Sequence, residues 1–558
     1  MNMKTNTRNM AIRVMLVLAF LLTAMSASLF AGGQSNAPAI GPAQSAPGPM
    51  GKYTPPIEVT AVKNLGAGNL LFPPGDSINN NVWTRYFEET LGIKVKYTWT
   101  INEQQYAQRV NIAITSNDIP DIMGVNNVQL KMMYENGQLM DMTKILDDYL
   151  APFTREVLYQ DNGDAIKSAT FDGKIYAIPM TGFGLGSAYV LWVRTDWLDK
   201  LGLSIPTTTD ELLAVADAFT NRDPDGNGVK DTYGLAIYKD LFDGGFACLE
   251  GFFNSYGAYP GIWVPSENGL VYGSTQPAAK TALGVLRDMF QRGLIDPEFG
   301  VKDAPKVAED VMANKFGLMF GQFWNAAWIN AAKVANPAME WVPVAIPGPS
   351  RGVAAKAQIP FGTTGYAAIS AKAKYPEAAV KLLNLDLEKK YGATAESTRF
   401  NITPEGFSPY AYTPLSIEPG MKNFEAAVAV TDAINRKDPS KLNEEQLNYY
   451  EMSMKSLAGD HDGNNWHQLK MFGPNGSLTV MLNYWNTGNV MADRFITVPT
   501  QTMTEKLSTL KKQILTDFTN IILGAQLDAS WNTFTRNFGT LGGTQMTNEV
   551  NDWYKTQQ

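Results

Sequence analysis

Residues 189–222 read YVLWVRTDWLDKLGLSIPTTTDELLAVADAFTNR, and this stretch contains the alternation that decides the fold. The uncharged apolar run at residues 189–193 predicts a buried strand, which leads directly into a helical pattern. A second helix follows, in which Thr208 and Glu211 have the spacing of a capping box. A buried strand followed by helices is typical of an α/β fold.

The same alternation continues on both sides of this stretch. Strands are predicted for IEVTAVKNL, IKVKYTWTI, DIPDIMGV and GKIYAIPM before it, and for FGLMFGQFW, WVPVAIPGP and TGYAAIS after it. Beyond residue 420 the pattern is mostly helical, and residues 505–524 have one apolar stripe. We therefore predict an α/β protein with mixed or parallel sheets in two lobes and a helical C-terminal section.

The composition excludes several classes of protein. The chain has 558 residues, a formal net charge of −8, two His and one Cys. The negative charge argues against a nucleic-acid partner, because phosphate binding needs a basic surface. His461, His467 and Cys248 are too few for a His- or Cys-rich zinc site. We expect Cys248 to be buried and both His residues to lie in a polar loop.

The N-terminal residues predict export. Three basic residues precede an apolar run at residues 14–25, which is shorter than the about 20 residues of a spanning helix and typical of a signal peptide. We assign a signal peptide to residues 1–31 and a flexible Gly/Pro/Ser-rich tether to residues 32–56. Gly32 stands where a lipoprotein has Cys, so we expect a periplasmic or extracellular protein without a lipid anchor.

Residues 223–234, DPDGNGVKDTYG, match the first part of an EF-hand calcium loop. The oxygen-bearing side chains at positions 1, 3, 5 and 9 are Asp223, Asp225, Asn227 and Asp231. Gly228 at position 6 permits the sharp turn, whereas Gly234 replaces the bidentate Glu of position 12. We predict a structural calcium ion rather than a signalling switch, with an Asp/Gly-rich turn that holds no ion as the alternative.

Several stretches, all in the same order, resemble the extracytoplasmic solute-binding proteins of sugar ABC transporters. They are ITSNDIPDIMGV, YENGQLMDMTKILDD, FDGKIYAIPM, WVRTDWLDKLGLSIPTTTDEL, MANKFGLMFGQFW and LGGTQMTNEVNDWY. With DPDGNGVKD, the chain is most similar to the long oligosaccharide-binding branch that includes alginate-binding proteins. In that branch the loop binds calcium away from the sugar, which implies Asp223, Asp225, Asn227, Asp231 and the Val229 carbonyl as ligands.

The resemblance also implies a type II periplasmic-binding architecture with a hinge and an interlobe cleft. Chain crossings are expected near Pro179, Gln358 and Phe400. Lobe 1 would comprise residues 57–179 and 358–400, and lobe 2 residues 180–357 and 401–558, which carry the calcium-type loop 223–234. The implied function is capture of an oligosaccharide by a monomer that delivers it to ABC permease subunits. No catalysis is implied.

A sugar site needs aromatic platforms and planar hydrogen-bonding side chains, which we expect in loops at strand ends. The candidates are Trp324, Trp466, Phe323, Asn325, Trp328, Trp83, Asn81, Asn127, Phe183 and Phe472. Asn126 accompanies Asn127 after the same strand. Any one of these aromatic residues could instead belong to the core.

Two other functional classes remain open. The same fold could bind a peptide or another polar solute, and a uronate ligand would require cleft Arg or Lys, for which Arg194 is one candidate. A secreted carbohydrate-active enzyme would need two carboxylates about 5–9 Å apart, which sequence spacing neither proves nor excludes.

Overall fold

The computed structural model describes residues 48–557, except residues 67–69, 162, 182–183 and 243 and the side chain of Thr364. The predicted signal peptide, residues 32–47 of the predicted tether and the candidate Phe183 lie outside the described residues.

The strands begin at Ile57. They are β1 (Ile57–Asn64), β2 (Ile93–Ile101), β3 (Ile122–Val125), β4 (Thr170–Phe171), β5 (Lys174–Ile175), β6 (Ala177–Thr181), β7 (Val190–Arg194), β8 (Tyr233–Leu235), β9 (Trp263–Ser266), β10 (Gly269–Tyr272), β11 (Phe316–Gly321), β12 (Trp341–Val344), β13 (Ala357–Ile359), β14 (Thr363–Ile369) and β15 (Val490–Ala492). The predicted strands are confirmed, and the short strands β4, β8, β9, β10, β13 and β15 were not predicted.

Helices connect most of these strands and dominate after residue 420. In the first part they are α1 (Val82–Leu91), α2 (Glu103–Ser116), α3 (Asn127–Glu135), α4 (Thr143–Tyr149), α5 (Pro152–Leu158), α6 (Asp164–Ser168), α7 (Thr195–Leu201), α8 (Thr209–Asn221), α9 (Glu250–Ser255), α10 (Pro277–Gln291), α11 (Ala304–Met312) and α12 (Asn325–Ala335). Later come α13 (Glu377–Tyr391), α14 (Ser397–Phe400), α15 (Lys422–Arg436), α16 (Glu444–Leu457), α17 (Asn465–Phe472), α18 (Ser477–Asn486), α19 (Gln501–Ile522), α20 (Leu527–Phe538) and α21 (Thr544–Lys555).

The first sheet has the strand order β2-β1-β3-β14-β6. Strand β1 pairs in parallel with β2 and β3, whereas β14 is antiparallel to both of its neighbours, β3 and β6. The sheet is therefore mixed, and β14 returns to it from a part of the chain about 180 residues later than β6. This return explains why the chain must cross between the sheets more than once.

The second sheet has the strand order β12-β7-β11-β8. Every residue of β7 and β11 is buried, as expected for central strands covered on both faces. Helix α8 begins as predicted, with the Thr208 hydroxyl accepting from the Glu211 backbone N–H at 3.2 Å. The two mixed sheets and the helical C-terminal section confirm the predicted fold class.

The end of the predicted tether packs on the first lobe instead of extending away from it. Tyr53 is 1% exposed, its hydroxyl donates to Glu377 at 2.7 Å, and its backbone N–H donates to Leu91 at 2.8 Å. Tyr53, an aromatic residue near the end of a Gly/Pro-rich stretch, therefore packs against α13.

The segment that follows α14 also remains with the first sheet. Phe72 and Tyr412 stack at 4.6 Å between ring centroids, and the Gln160 side chain accepts from the backbone N–H of Gly420 at 2.6 Å. Residues 412 and 420 therefore both contact parts of the chain that precede β4, and the predicted boundary of the lobes at residue 400 stays a prediction.

Candidate functional site

A groove of about 420 Å³ lies between the edges of the two sheets. Asn126 and Asn127 follow β3, and Gly365 and Tyr366 belong to β14. From the second sheet, Gln322 follows β11. The groove is thus lined from both sheets at the ends of their strands, where open α/β sheets bind ligands.

Gln322 is held in one orientation by its neighbours. Its Nε2 donates to the Ser187 carbonyl at 3.3 Å, and its Oε1 accepts from the Trp324 indole N–H at 2.9 Å. The Trp192 indole N–H donates to the Gln322 backbone carbonyl at 3.3 Å. A half-buried amide fixed in this way is preorganised for hydrogen bonds to a ligand.

One wall of the groove is formed where the chain crosses between the sheets. Gln358 in β13 is 6% exposed and donates through Nε2 to the Pro260 carbonyl at 2.9 Å. Asn254 donates to Gln358 Oε1 at 2.8 Å and accepts from the Gln358 backbone N–H at 2.8 Å. This buried network fixes the loop at residues 259–261 against the crossing strand.

The charged side chains of the groove are mainly acidic. Glu250, Asp493 and Lys511 are its charged lining residues among those described. Asp493 accepts from the backbone N–H groups of Trp263 at 3.1 Å and Phe495 at 3.0 Å. Burial raises the pKa of Asp493 to about 7, although these N–H groups act in the opposite direction.

A second cavity of about 330 Å³ continues from the groove into the first lobe, and both are lined by Asn126 and Gly365. It contains Tyr106, whose hydroxyl donates to the Gly124 carbonyl at 3.0 Å. Lys63 also lines it and donates to the Thr413 carbonyl at 2.7 Å. Burial is the main reason that the pKa of Lys63 is lowered to about 8, and the charge of Lys390 acts in the same direction.

The aromatic residues predicted around Trp324 lie beside the groove rather than in its lining. Phe323, Trp324 and Trp328 are half-buried. The Trp328 ring stacks on Phe246 at 5.0 Å, and Trp324 contacts the groove through its hydrogen bond to Gln322. Asn127 and its neighbour Asn126 are the candidates from the sequence that line the groove among the described residues.

Five predicted ligand-binding residues are buried in the protein interior, so we do not include them in the proposed site. They are Asn81 (0% exposed), Trp83 (0%), Asn325 (0%), Trp466 (1%) and Phe472 (2%).

The reasons for this burial are local. Asn81 caps α1, accepting from the backbone N–H groups of Trp83 and Thr84. The Trp83 indole donates to the Phe400 carbonyl at 3.2 Å. The stretch around Trp466, predicted as a loop, is helix α17.

Arg194, the candidate for binding a uronate, lies away from the groove lining. It is 2% exposed and forms two hydrogen bonds with Asp196, at 2.8 and 2.7 Å. Its guanidinium also lies 4.4 Å from the ring centroid of Trp197. Arg194 is therefore a structural residue of the second lobe.

The loop at residues 223–231 brings its polar side chains together. Asn227 Nδ2 donates to Asp225 at 2.8 Å and to Asp231 at 3.2 Å. Asp223 accepts from the backbone N–H groups of Gly226 and Gly228, both at 3.1 Å. Within the described part of the chain, no group of three or more His, Cys, Asp and Glu side chains is placed to hold a metal ion.

The pKa values of this loop reflect crowded negative charge. Desolvation and the neighbouring carboxylates Asp223 and Asp231 raise the pKa of Asp225, with a backbone N–H acting against them. For Asp223, desolvation is outweighed by backbone N–H groups and by the Lys200 charge, so its pKa is lowered. A cation among these oxygens would relieve the repulsion.

Sequence reasoning missed most of the groove lining. Gln322 directly follows a predicted buried strand, so the rule that sites lie at strand ends could have found it. Gln358 and Asp493 lie at strands with no recognisable pattern, because β13 and β15 have only three residues each.

None of the helices in the described residues combines the length and the apolar character that a membrane-spanning segment requires.

Comparison with known proteins agrees with the resemblance described in the sequence analysis. Residues 71–393 match the family model of bacterial extracellular solute-binding proteins. The chain is 27% identical over 343 residues to the fructooligosaccharide ABC transporter substrate-binding protein FusA of Streptococcus pneumoniae serotype 4 (strain ATCC BAA-334 / TIGR4). That alignment covers 60% of this chain and 61% of the relative, less than two thirds of its length.

Solved structures show the same architecture. FusA in complex with kestose has a TM-score of 0.62 at 18% identity, covering 90% of this chain and 99% of FusA. A FusA EF-hand mutant in complex with fructo-nystose has a TM-score of 0.61. The alginate-binding protein AlgQ2 without calcium ion has a TM-score of 0.62 at 15% identity, covering 90% of this chain and 98% of AlgQ2. The fold is that of the type II periplasmic-binding proteins, with two α/β lobes and a cleft.

Proposed function

The chain belongs to the bacterial extracellular solute-binding proteins, and from this premise we propose that it binds an uncharged oligosaccharide in the groove. The protein would be exported and would deliver this ligand to the permease subunits of an ABC importer. Because the members of this family are binding proteins, we do not retain a carbohydrate-active enzyme as an alternative.

The observation that carries this proposal is the polar lining contributed by both sheets. Asn126 and Asn127, which follow β3 of the first sheet, line the groove together with Gln322, which follows β11 of the second. Planar amides both donate and accept hydrogen bonds, as sugar hydroxyls do. A ligand that contacts both sides is bound most strongly when the lobes close, so binding shifts the population toward the closed form that a permease could recognise.

The charge of the groove favours a neutral ligand over a uronate. Glu250 would repel a carboxylate, and Lys511 is the one cationic residue in the described lining. FusA is named for fructooligosaccharides and AlgQ2 for alginate, so relatives differ in ligand charge. Arg194, which could have paired with a uronate, is occupied by Asp196.

Isothermal titration calorimetry with matched trisaccharides tests the proposal. The panel pairs neutral malto-, xylo- and fructo-trisaccharides with trigalacturonate and a mannuronate trimer. We expect one neutral series to bind with micromolar affinity and to be recovered intact by chromatography. Binding of the uronates alone would contradict the neutral ligand, and binding of no saccharide would contradict the function.

We also propose a structural calcium ion in the loop at residues 223–231. Asp225 and Asp231 already converge on the Asn227 amide nitrogen, whereas the Asn227 oxygen accepts from the Val229 backbone N–H at 2.6 Å. Ion binding would turn this oxygen toward the carboxylates and exchange its hydrogen bond for a contact with calcium. Oxygen ligands of this type suit calcium. When bound, the ion would hold the connection between α8 and β8 without contacting the groove.

A further inference from the structure

The groove continues past Gly261 into a cavity that the proposed function does not use. This extension has a volume of about 290 Å³ and is lined in common with the groove by Pro260, Gly261 and Lys511. Its far side is formed by α19 and by the segment at residues 240–242. The extension shares no described lining residue with the cavity that contains Tyr106.

Where the extension meets the groove, Gly261 adds no side chain to the lining, and hydrogen bonds fix the neighbouring backbone. Gly261 has a φ of 85°, and no atom outside its chain neighbours lies within 4 Å of the position a Cβ would occupy. The neighbouring backbone is fixed, because Pro260 accepts from buried Gln358 and the Gly261 N–H donates to the Ser274 hydroxyl at 3.2 Å. The lining that the groove and the extension share is therefore fixed at Gly261 and is not narrowed by a side chain at that position.

The extension combines apolar surface with a charged rim. Phe242 is half-buried and is held by edge contacts to Phe253 and Phe518, at 5.3 and 6.1 Å between centroids. Leu515 is also half-buried, and Lys512 is exposed at the rim. Such a surface suits the C–H face of a sugar ring together with its outer hydroxyl groups.

The extension alone is slightly smaller than the lower limit of ligand pockets, roughly 300–1,000 Å³, and the groove and the cavity at Tyr106 lie in the lower half of that range. The described lining residues, however, connect the cavity at Tyr106, the groove and the extension in sequence. We propose that the extension binds an end unit of the oligosaccharide on Phe242 and Leu515, so that the protein selects chains of three or more units over disaccharides. This inference rests on the proposed function.

The Leu515→Trp variant tests the inference by filling the extension. Its control is Leu523→Trp, because Leu523 at the end of the same helix is 44% exposed and lies outside the lining. Both variants and the wild type are titrated with malto-, xylo- and fructo-oligosaccharides of two to five units. We expect the wild type and Leu523→Trp to bind the longer chains about tenfold more tightly than the disaccharide.

In Leu515→Trp this length preference should disappear, while disaccharide affinity stays within about twofold of wild type. Equal wild-type affinity for short and long chains would overturn the inference alone, as would a Leu515→Trp variant that retains the preference. If no saccharide of any length binds, the proposed function itself is wrong and the inference falls with it. Thermal melting of both variants separates a blocked cavity from a misfolded chain.

Discussion

The groove and the aspartate loop at residues 223–231 are both polar, but they are assembled in opposite ways. The groove combines Asn127, Gln322, Gln358 and Asp493 from distant parts of the chain. The loop takes its carboxylates and its amide from nine consecutive residues. The first depends on the packing of two sheets, and the second only on the local turn.

Because of this difference, we expect changes in the groove to affect ligand binding and changes in the loop to affect the stability of the fold. Groove side chains such as Gln322 lie at strand ends and can be truncated without removing core packing, so their loss should weaken the ligand complex. The loop connects α8 to β8, so a change there should affect the folded state and leave the groove intact. Three measurements test this difference between the groove and the loop.

The largest effect is expected for Gln322→Ala, which removes a groove amide and leaves the Trp324 indole N–H without its acceptor. Loss of such hydrogen bonds costs about 1–3 kcal/mol, so affinity should fall about 5–150-fold. Isothermal titration with the tightest-binding neutral trisaccharide measures the change. Gln291→Ala, at the exposed end of α10, should bind like wild type, and equal affinity of the two variants would break the contrast.

Calcium removal should have the next largest effect, and it should act on stability alone. At 1 mM calcium and a Kd of about 10⁻⁴ M, binding stabilises the folded state by about 1.4 kcal/mol. Thermal melting with calcium and with a chelator measures this difference. The double variant Asp223→Asn/Asp225→Asn should lose it, whereas Asp118→Asn, an exposed residue outside the loop, should keep it.

Trisaccharide affinity measured under the same conditions completes the calcium test. Calcium should change that affinity by less than about twofold, because the loop and the groove lining share no residue among those described. A wild type that melts identically with and without calcium would show that the loop is a turn that holds no ion.

The smallest effect is expected from the pH dependence of Asp493. Its pKa is raised to about 7 by burial, so the folded protein retains a proton that the unfolded chain releases. Stability is therefore lost as pH rises through 7, by about 0.7 kcal/mol between pH 6.5 and 7.5. Urea unfolding at the two pH values should show this loss in wild type and Asp118→Asn, and Asp493→Asn should lack it.

Much of the fold could be predicted because its signals are local. The strand–helix pattern of residues 189–201 appears as β7 and α7, and Gly92 ends α1 in the left-handed conformation, with a φ of 65°. The predicted tether was partly wrong because Tyr53 packs against α13, a contact between residues more than 300 positions apart. Such a contact leaves no trace in composition.

The candidate site was predicted less well, and Trp466 shows why. Its flanking residues Gly463 and Gly473 indicated a loop, but the eight residues of α17 are enough for two helical turns. In that helix Trp466 faces the core. Asn127 was predicted correctly as a strand-end residue, because the end of β3 is recognisable in sequence and lies at the groove.

The α/β class, the family resemblance and the oxygen-rich loop could all be recognised in the sequence, since each depends on residues close together in the chain. Tertiary structure alone decided which polar side chains face one another across the groove and which indoles are buried. The reason is physical: burial and approach depend on how two sheets and their crossing segments pack, and these contacts join residues hundreds of positions apart. The sequence gives the chemical type of each side chain, but the burial and the neighbours of that side chain depend on how the lobes pack.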